Sequence, residues 1–182
     1  MNQESDKQGL GLVHVYTGNG KGKTTAAIGA GVRAAGHGYT VKMVQFMKGE
    51  WFPEYGEIKV IKELENFEVE QFATKHLLEP DDIRPEDREA IEDAMDASRK
   101  AVSDNSNDMV ILDEITVACE FGLVSPRDIL DLIERKDESM EIIITGRYAP
   151  DDVIERGDIV TRMEKVKHPY DKGVKAQKGR EW

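Results

Sequence analysis

The sequence predicts an α/β fold in which a mainly parallel central sheet is flanked by helices. Apolar segments alternate with helically periodic ones along the chain. The segments Asp108-Met-Val-Ile-Leu-Asp113 and Glu141-Ile-Ile-Ile-Thr145 are apolar without alternation, as strands covered on both faces are. A glycine-rich turn, Thr17-Gly-Asn-Gly-Lys-Gly-Lys-Thr-Thr25, separates the first apolar run from the first helical one. Strand, turn and helix in that order are the context a phosphate-binding loop requires.

The elements follow in order. Leu12 to Tyr16 is the first strand, and Ala26 to Ala35 continues the helix that the glycine-rich turn opens. Gly36-His-Gly38 stops that helix. Tyr39 to Met47 reads as the second strand, Gly49 to Gly56 as a loop, and Asn66 to Phe72 as the third strand. Ala73 to Pro85 is polar, carries two prolines and reads as a loop. Pro85 to Asp104 has helical periodicity, with Ile91, Ala94, Met95, Ala97, Ser98, Ala101 and Val102 on its inner side. After the Asp108 strand, Ser125-Pro126 supplies a serine cap and a proline at the first helical position, opening a helix to about Arg135. The Glu141 strand, a short helix from Pro150 to Arg156 and a strand from Asp158 to Met163 complete the pattern. No internal repeat or low-complexity linker divides it, so residues 1–182 are expected to form one domain, with 1–10 as a flexible N-terminal arm.

Composition narrows the function. Among 182 residues, 25 are basic and 36 acidic, a net charge of −11 that disfavours non-specific binding to nucleic acid or an anionic membrane. An anionic ligand must therefore be held locally. Cys119 is the one cysteine, which excludes an intramolecular disulfide and points to a reducing, cytoplasmic setting. No segment has the length of a membrane span or the pattern of a signal peptide.

The candidate chemistry begins at the glycine-rich loop. Gly18, Gly20 and Gly22 let the backbone curl and direct N–H groups inward, joined by Asn19, Lys21 and Thr25. The helix behind the loop adds the positive end of its dipole. Lys23 supplies charge for distal phosphates, and Thr24 a hydroxyl for Mg²⁺, with Mn²⁺ as an alternative. Thr17 stands where the usual G-x-x-x-x-G-K-[ST] pattern has its first glycine. Asp113 and Glu114 end a buried strand in the manner of a Walker B segment, and one or both can hold the metal. Arg147, at the tip of the Glu141 strand, can reach a phosphate. His14, among apolar neighbours, reads as a core histidine. Arg33 reads as a surface arginine, and Lys165 to Gln177 as a basic, solvated segment.

In order, these motifs resemble the P-loop family of ATP:corrinoid adenosyltransferases. The resemblance runs from Gly11 to Gln177. It rests on the loop with its threonine, on Arg33-Ala-Ala-Gly-His-Gly38, and on Val44-Gln-Phe-Met-Lys-Gly49. Asp108 to Glu114, Ile142 to Arg147 and Val166-Lys-His-Pro-Tyr-Asp-Lys-Gly-Val-Lys-Ala-Gln177 complete it. The resemblance implies a RecA-like P-loop NTPase architecture. It also implies a reaction in which a corrinoid reduced to Co(I) attacks the 5′ carbon of ATP, takes the adenosyl group and releases triphosphate. In that family the triphosphate lies in the loop in the reverse sense.

Lys23 and Arg147 would then stabilise the leaving group. Arg33 becomes a ribose or nucleotide contact, and the basic C-terminal run becomes part of an active-site or subunit surface. A homodimer and a flavoprotein reductant are further family expectations. The chain departs from the family after its third strand. Relatives of the enterobacterial type carry A-T-x-F-x-W there, whose aromatics pack near the corrin. Here the stretch is Ala73-Thr-Lys-His-Leu-Leu78, so His76 and Leu78 take the aromatic positions. Leu78 can serve as an apolar wedge; His76 is open between a loop histidine and a cobalt-side ligand. The competing readings are another small P-loop kinase or NTPase, and an ATP-binding regulatory module.

Overall fold

A computed structural model describes residues 11–48, 55–72, 76 and 78–180. Its centre is a six-stranded, all-parallel sheet in the order β3-β2-β4-β5-β1-β6. The strands are β1 (Val13–Thr17), β2 (Val41–Phe46), β3 (Phe67–Phe72), β4 (Met109–Asp113), β5 (Glu141–Thr145) and β6 (Ile159–Arg162). The helices are α1 (Lys23–Gly36), α2 (Gly56–Ile61), α3 (Pro85–Ser103), α4 (Ile115–Glu120), α5 (Pro126–Arg135) and α6 (Asp151–Arg156), followed by a 3-10 turn at Pro169–Lys172. The expected fold class is thus observed.

Side-chain parity divides the core between the two faces of the sheet. Met43, Ile111 and Ile143 pack with Ala27 and Ile28 of α1 and Ile58 and Ile61 of α2. Val44, Leu112, Ile142 and Ile144 pack on the other face with Ile91 of α3, Ile129 and Leu132 of α5 and Val153 of α6. β2, β4 and β5 are buried at every position; β4 and β5 carry uninterrupted apolar runs, while β2 also buries Lys42 and Gln45. β6 is an edge strand, and all four of its residues are exposed.

The helix ends follow local chemistry. Ser125 Oγ accepts the Asp128 N–H at 3.1 Å, while the Asp128 carboxylate accepts the Ser125 N–H at 2.9 Å. This reciprocal pairing satisfies two groups that the first turn of α5 leaves open. α3 starts similarly, with the Asp87 carboxylate accepting the Arg84 N–H at 2.9 Å and Pro85 at the first helical turn. α2 and α4 have no counterpart among the expected elements: each is six residues long, too short to declare a 3.6-residue period. The N-terminal arm, most of the loop after β2, and Ala73, Thr74, Lys75 and Leu77 lie outside the described residues.

Register fixes the working end of the molecule. Gln45 pairs with Asp113 across β2 and β4, Leu112 with Ile144 across β4 and β5, and Tyr16 with Thr145 across β1 and β5. The carboxyl ends of four strands therefore stand level, at the edge where open α/β sheets bind ligands.

Candidate functional site

Between Thr17, which ends β1, and Lys23, which opens α1, the chain turns through positive φ at Gly18 (97°) and Gly22 (121°). Gly18 is also sterically obligatory. A Cβ there would lie 2.3 Å from the Met163 carbonyl oxygen. The loop is tied into the fold from two sides. Gly20 N–H donates to the Met163 carbonyl at 2.7 Å, and Asn19 Oδ1 accepts the Lys165 N–H at 3.0 Å. On the other side, Gly18 N–H donates to the Arg147 carbonyl at 3.0 Å.

Thr17 has a specific place in this arrangement. Its hydroxyl donates to the Arg147 carbonyl at 2.9 Å and accepts the Ala149 N–H at 3.1 Å. Thr17 is 2% exposed, so no water replaces either bond. The threonine pins the glycine-rich loop to the segment after β5 and fixes the backbone that carries Arg147. A glycine in its place would have no hydroxyl for either bond.

Lys23 is buried and folds back on the loop, donating to the carbonyls of Gly18 at 2.7 Å and Gly20 at 2.8 Å. Burial lowers its pKa below the ordinary lysine value, against the attraction of Glu114. Asp113, fully buried at the end of β4, gathers four donors. Its Oδ1 accepts the hydroxyls of Thr24 at 2.8 Å and Thr145 at 2.7 Å. Its Oδ2 accepts Gln45 Nε2 at 3.0 Å and Lys48 Nζ at 2.7 Å. Burial pushes the Asp113 carboxyl up, but the Lys48 charge and the hydrogen bonds of Lys48, Thr145 and Thr24 hold it below the ordinary aspartate value. Glu114 moves the other way: burial raises its carboxyl, the adjacent Asp113 charge adds to that, and Lys48 opposes both. The two neighbouring carboxyls are thereby driven apart.

Above this floor opens a cleft of ≈ 650 Å³. Of the expected residues, Asn19, Gly20, Lys21, Gly22, Lys23, Thr24, Thr25, Glu114 and Arg147 line it. Asp113 lies beneath and is reached through Thr24. The basic C-terminal run forms one wall through Lys165, His168, Tyr170 and Asp171. Lys165 Nζ donates to Asp171 at 2.7 Å, and His168 Nδ1 accepts the Tyr170 N–H at 3.1 Å.

Two sets of expected residues stand elsewhere. Arg33 is in the last turn of α1, roughly 15 Å along the helix from Lys23 at 1.5 Å per residue, and does not line the cleft. Its charge instead acts on the Tyr16 hydroxyl, whose pKa burial and Glu141 raise against it. His76 and Leu78 lie between β3 and α3. Leu78 is buried, and His76 Nε2 is 3.3 Å from the Asp82 carbonyl and 3.6 Å from the Asp87 carboxylate. His76 thus faces the acidic start of α3. His14 is half-buried rather than enclosed in the core; its Nε2 pairs with Glu141 Oε1 at 2.5 Å.

Lys48, Gln45, Thr145, Tyr55 and Tyr148 were not singled out from sequence. Lys48 had one usable signal, a basic residue just beyond a strand that ends at the working edge. Its meaning depends on β2 lying beside β4, which the strand order alone reveals.

The oxygen donor set of Thr24, Asp113 and Glu114 suits a hard divalent cation, and a lysine ammonium already answers its negative charge.

Known proteins resemble the chain over most of its length. The family described as ATP:corrinoid adenosyltransferase BtuR/CobO/CobP matches residues 9–182. A corrinoid adenosyltransferase of Escherichia coli (strain K12) is 37% identical over 169 residues, covering 93% of this chain and 84% of the relative. Corrinoid adenosyltransferase CobA of Salmonella typhimurium has the same identity and coverage. A corrinoid adenosyltransferase of Pseudomonas aeruginosa is 34% identical over 190 residues, 99% of this chain and 87% of the relative.

Proposed function

The chain belongs to the ATP:corrinoid adenosyltransferase family, and we propose that its glycine-rich cradle holds the triphosphate that departs when adenosyl is transferred. The enzyme moves the adenosyl group of ATP to a reduced corrinoid. The nucleophile is the Co(I) centre of the substrate, so the protein need not supply a general base. The bond that breaks joins C5′ to the triphosphate oxygen, and its electron pair leaves with triphosphate. The protein's contribution is alignment of cobalt with C5′ and stabilisation of charge on the leaving group.

One observation carries the assignment of roles: the loop, the acidic end of β4, Arg147 and the C-terminal wall converge on one cleft. Loop amides, Lys23 and Arg147 receive the phosphates. Lys23 releases the Gly18 and Gly20 carbonyls to do so. Thr24, Asp113 and Glu114 hold Mg²⁺ or Mn²⁺, which supplies charge neutralisation on the triphosphate. The triphosphate lies in the reverse sense expected of the family, so that the adenosyl end faces the open cleft. His76 and Leu78, at the same end of the sheet but outside the cleft lining, are assigned to the corrinoid rather than to ATP. Arg33 has no place in the contact set. A homodimer, a flavoprotein electron donor and a cytoplasmic location complete the reading. Among the described residues, no helix is long and apolar enough to cross a membrane.

The test is an anaerobic incubation with ATP, Mg²⁺ and chemically reduced cobalamin or cobinamide. Formation of the cobalt–carbon bond, seen in the corrinoid spectrum, with triphosphate as co-product is the expected result. ADP and orthophosphate with an unchanged corrinoid would favour the kinase or NTPase reading instead.

A further inference from the structure

Lys48 sits where a divalent cation would be held. Its Nζ is 2.7 Å from Asp113 Oδ2 and 3.1 Å from Thr24 Oγ1. The Thr24 hydroxyl already donates to Asp113 Oδ1 at 2.8 Å, so it accepts from the ammonium. Both oxygens belong to residues assigned to the metal above. A magnesium ion lies about 2.1 Å from each oxygen it binds, so on these atoms it would compete with the ammonium for the same lone pairs. Metal binding would favour exchange with the ammonium.

The surroundings make the exchange a built feature rather than a chance surface contact. The Lys48 side chain is 18% exposed, and Asp113 is fully enclosed. Without a cation Asp113 would be a buried, uncompensated charge, among the costliest arrangements a fold can hold. The residue before Lys48, Met47, has φ 57°, a left-handed conformation rare outside glycine. That turn is strained by about 1 kcal/mol or more, and lies directly between β2 and the ammonium. Lys48 also lines the cleft, with Nζ 5.8 Å from the centre of the Tyr55 ring, so its displaced position opens onto the space assigned to phosphates.

We propose that Lys48 is a resident counter-cation of the Thr24–Asp113 site, displaced onto the phosphate chain when metal and nucleotide enter together. Lys48 is therefore a positioning residue with two consequences. It keeps the site from taking up free divalent metal, and it delivers a positive charge to triphosphate only once ATP brings the metal in. The inference rests on the metal reading of Thr24, Asp113 and Glu114.

The experiment is Mn²⁺ binding followed by electron paramagnetic resonance, with and without ATP, for the wild type, Lys48→Met and Lys48→Arg. Without nucleotide, Lys48→Met should bind Mn²⁺ more tightly than the wild type by roughly tenfold or more, the worth of one charge-assisted hydrogen bond. Mn²⁺ alone should also raise its melting temperature while leaving that of the wild type unchanged. Lys48→Arg, which keeps the charge, should stay close to the wild type in both measurements. With ATP present, Lys48→Met should bind the nucleotide more weakly. Should Lys48→Met not fold, Lys48→Gln carries the same comparison, because it retains a donor for Asp113. Equal Mn²⁺ affinity of the charge-removed variant and the wild type would overturn the inference, provided the wild type with ATP binds Mn²⁺ and Thr24→Ala loses it. If the wild type with ATP shows no Thr24-dependent Mn²⁺ signal, the metal reading itself fails.

Discussion

Replacing Thr17 with valine removes one hydroxyl and leaves the shape of the side chain nearly unchanged. The hydroxyl makes two bonds, to the Arg147 carbonyl at 2.9 Å and from the Ala149 N–H at 3.1 Å. The two losses are unequal. The Arg147 carbonyl keeps the Gly18 N–H, while the Ala149 N–H loses the acceptor shown for it. A lost neutral bond costs about 1 kcal/mol, and a partly buried donor left unpaired about 1–3 kcal/mol, so Thr17→Val should destabilise by roughly 2–4 kcal/mol. For a chain of this size that is a fall in melting temperature of about 4–16 °C. The loop and Arg147 share this anchor, so the variant should also bind ATP more weakly. Urea unfolding and ATP titration on the same preparation measure both effects. A stability within about 0.5 kcal/mol of the wild type, with unchanged ATP affinity, would refute the idea that this threonine pins the loop.

Gly18→Ala should impair ATP binding severely, because the added methyl meets the Met163 carbonyl and φ is 97°; titration calorimetry reads the loss. Ser125→Ala removes the cap of α5 and should lower stability by about 1 kcal/mol with transfer activity unchanged, since α5 takes no part in the cleft. Glu141 gives an acid-sensitive contribution. Burial raises its carboxyl, but bonds from His14 and from the Leu12 and Gly11 amides hold it below the ordinary glutamate value. A depressed pKa stabilises the fold above the unfolded-state value of 4.5 and loses that contribution as pH falls through the folded value. Melting temperatures between neutral pH and about pH 3 should therefore fall less steeply for Glu141→Gln than for the wild type.

What could be read from sequence was what is local along the chain. The glycine-rich loop announces itself because the strand before it and the helix after it are contiguous with it. Asp113 does so because an acidic residue ends an uninterrupted apolar run. The serine cap and proline of α5 are likewise adjacent letters, and the structure pairs them as expected. Lys48, Gln45 and Thr145 escaped notice because their meaning comes from neighbouring strands. Asp113 meets Gln45 through β2 and Thr145 through β5, and neither pairing has a local signal. Arg33 shows the reverse limit. Its assignment came from likeness to a family, while helix rise carries it away from the loop that its own helix begins. β6 was legible as a strand, but not as an edge with every side chain exposed, since an edge is defined by what fails to pair beyond it.

The anchoring of the glycine-rich loop has a consequence for synthesis. Thr17 is bound to a carbonyl 130 positions later, and Asn19 to an amide 146 positions later. β1 itself lies between β5 and β6, so both of its sheet partners are translated in the final third of the chain. β1 thus emerges from the ribosome long before either strand it pairs with. Closing loops of this span is slow, and until it happens an apolar strand and a lysine-bearing turn wait without partners. A nascent chain arrested before Glu141 would carry the complete Walker sequence and yet lack the fold that makes it a nucleotide site. Such arrested chains should not be retained on immobilised ATP, whereas released full-length chains should be.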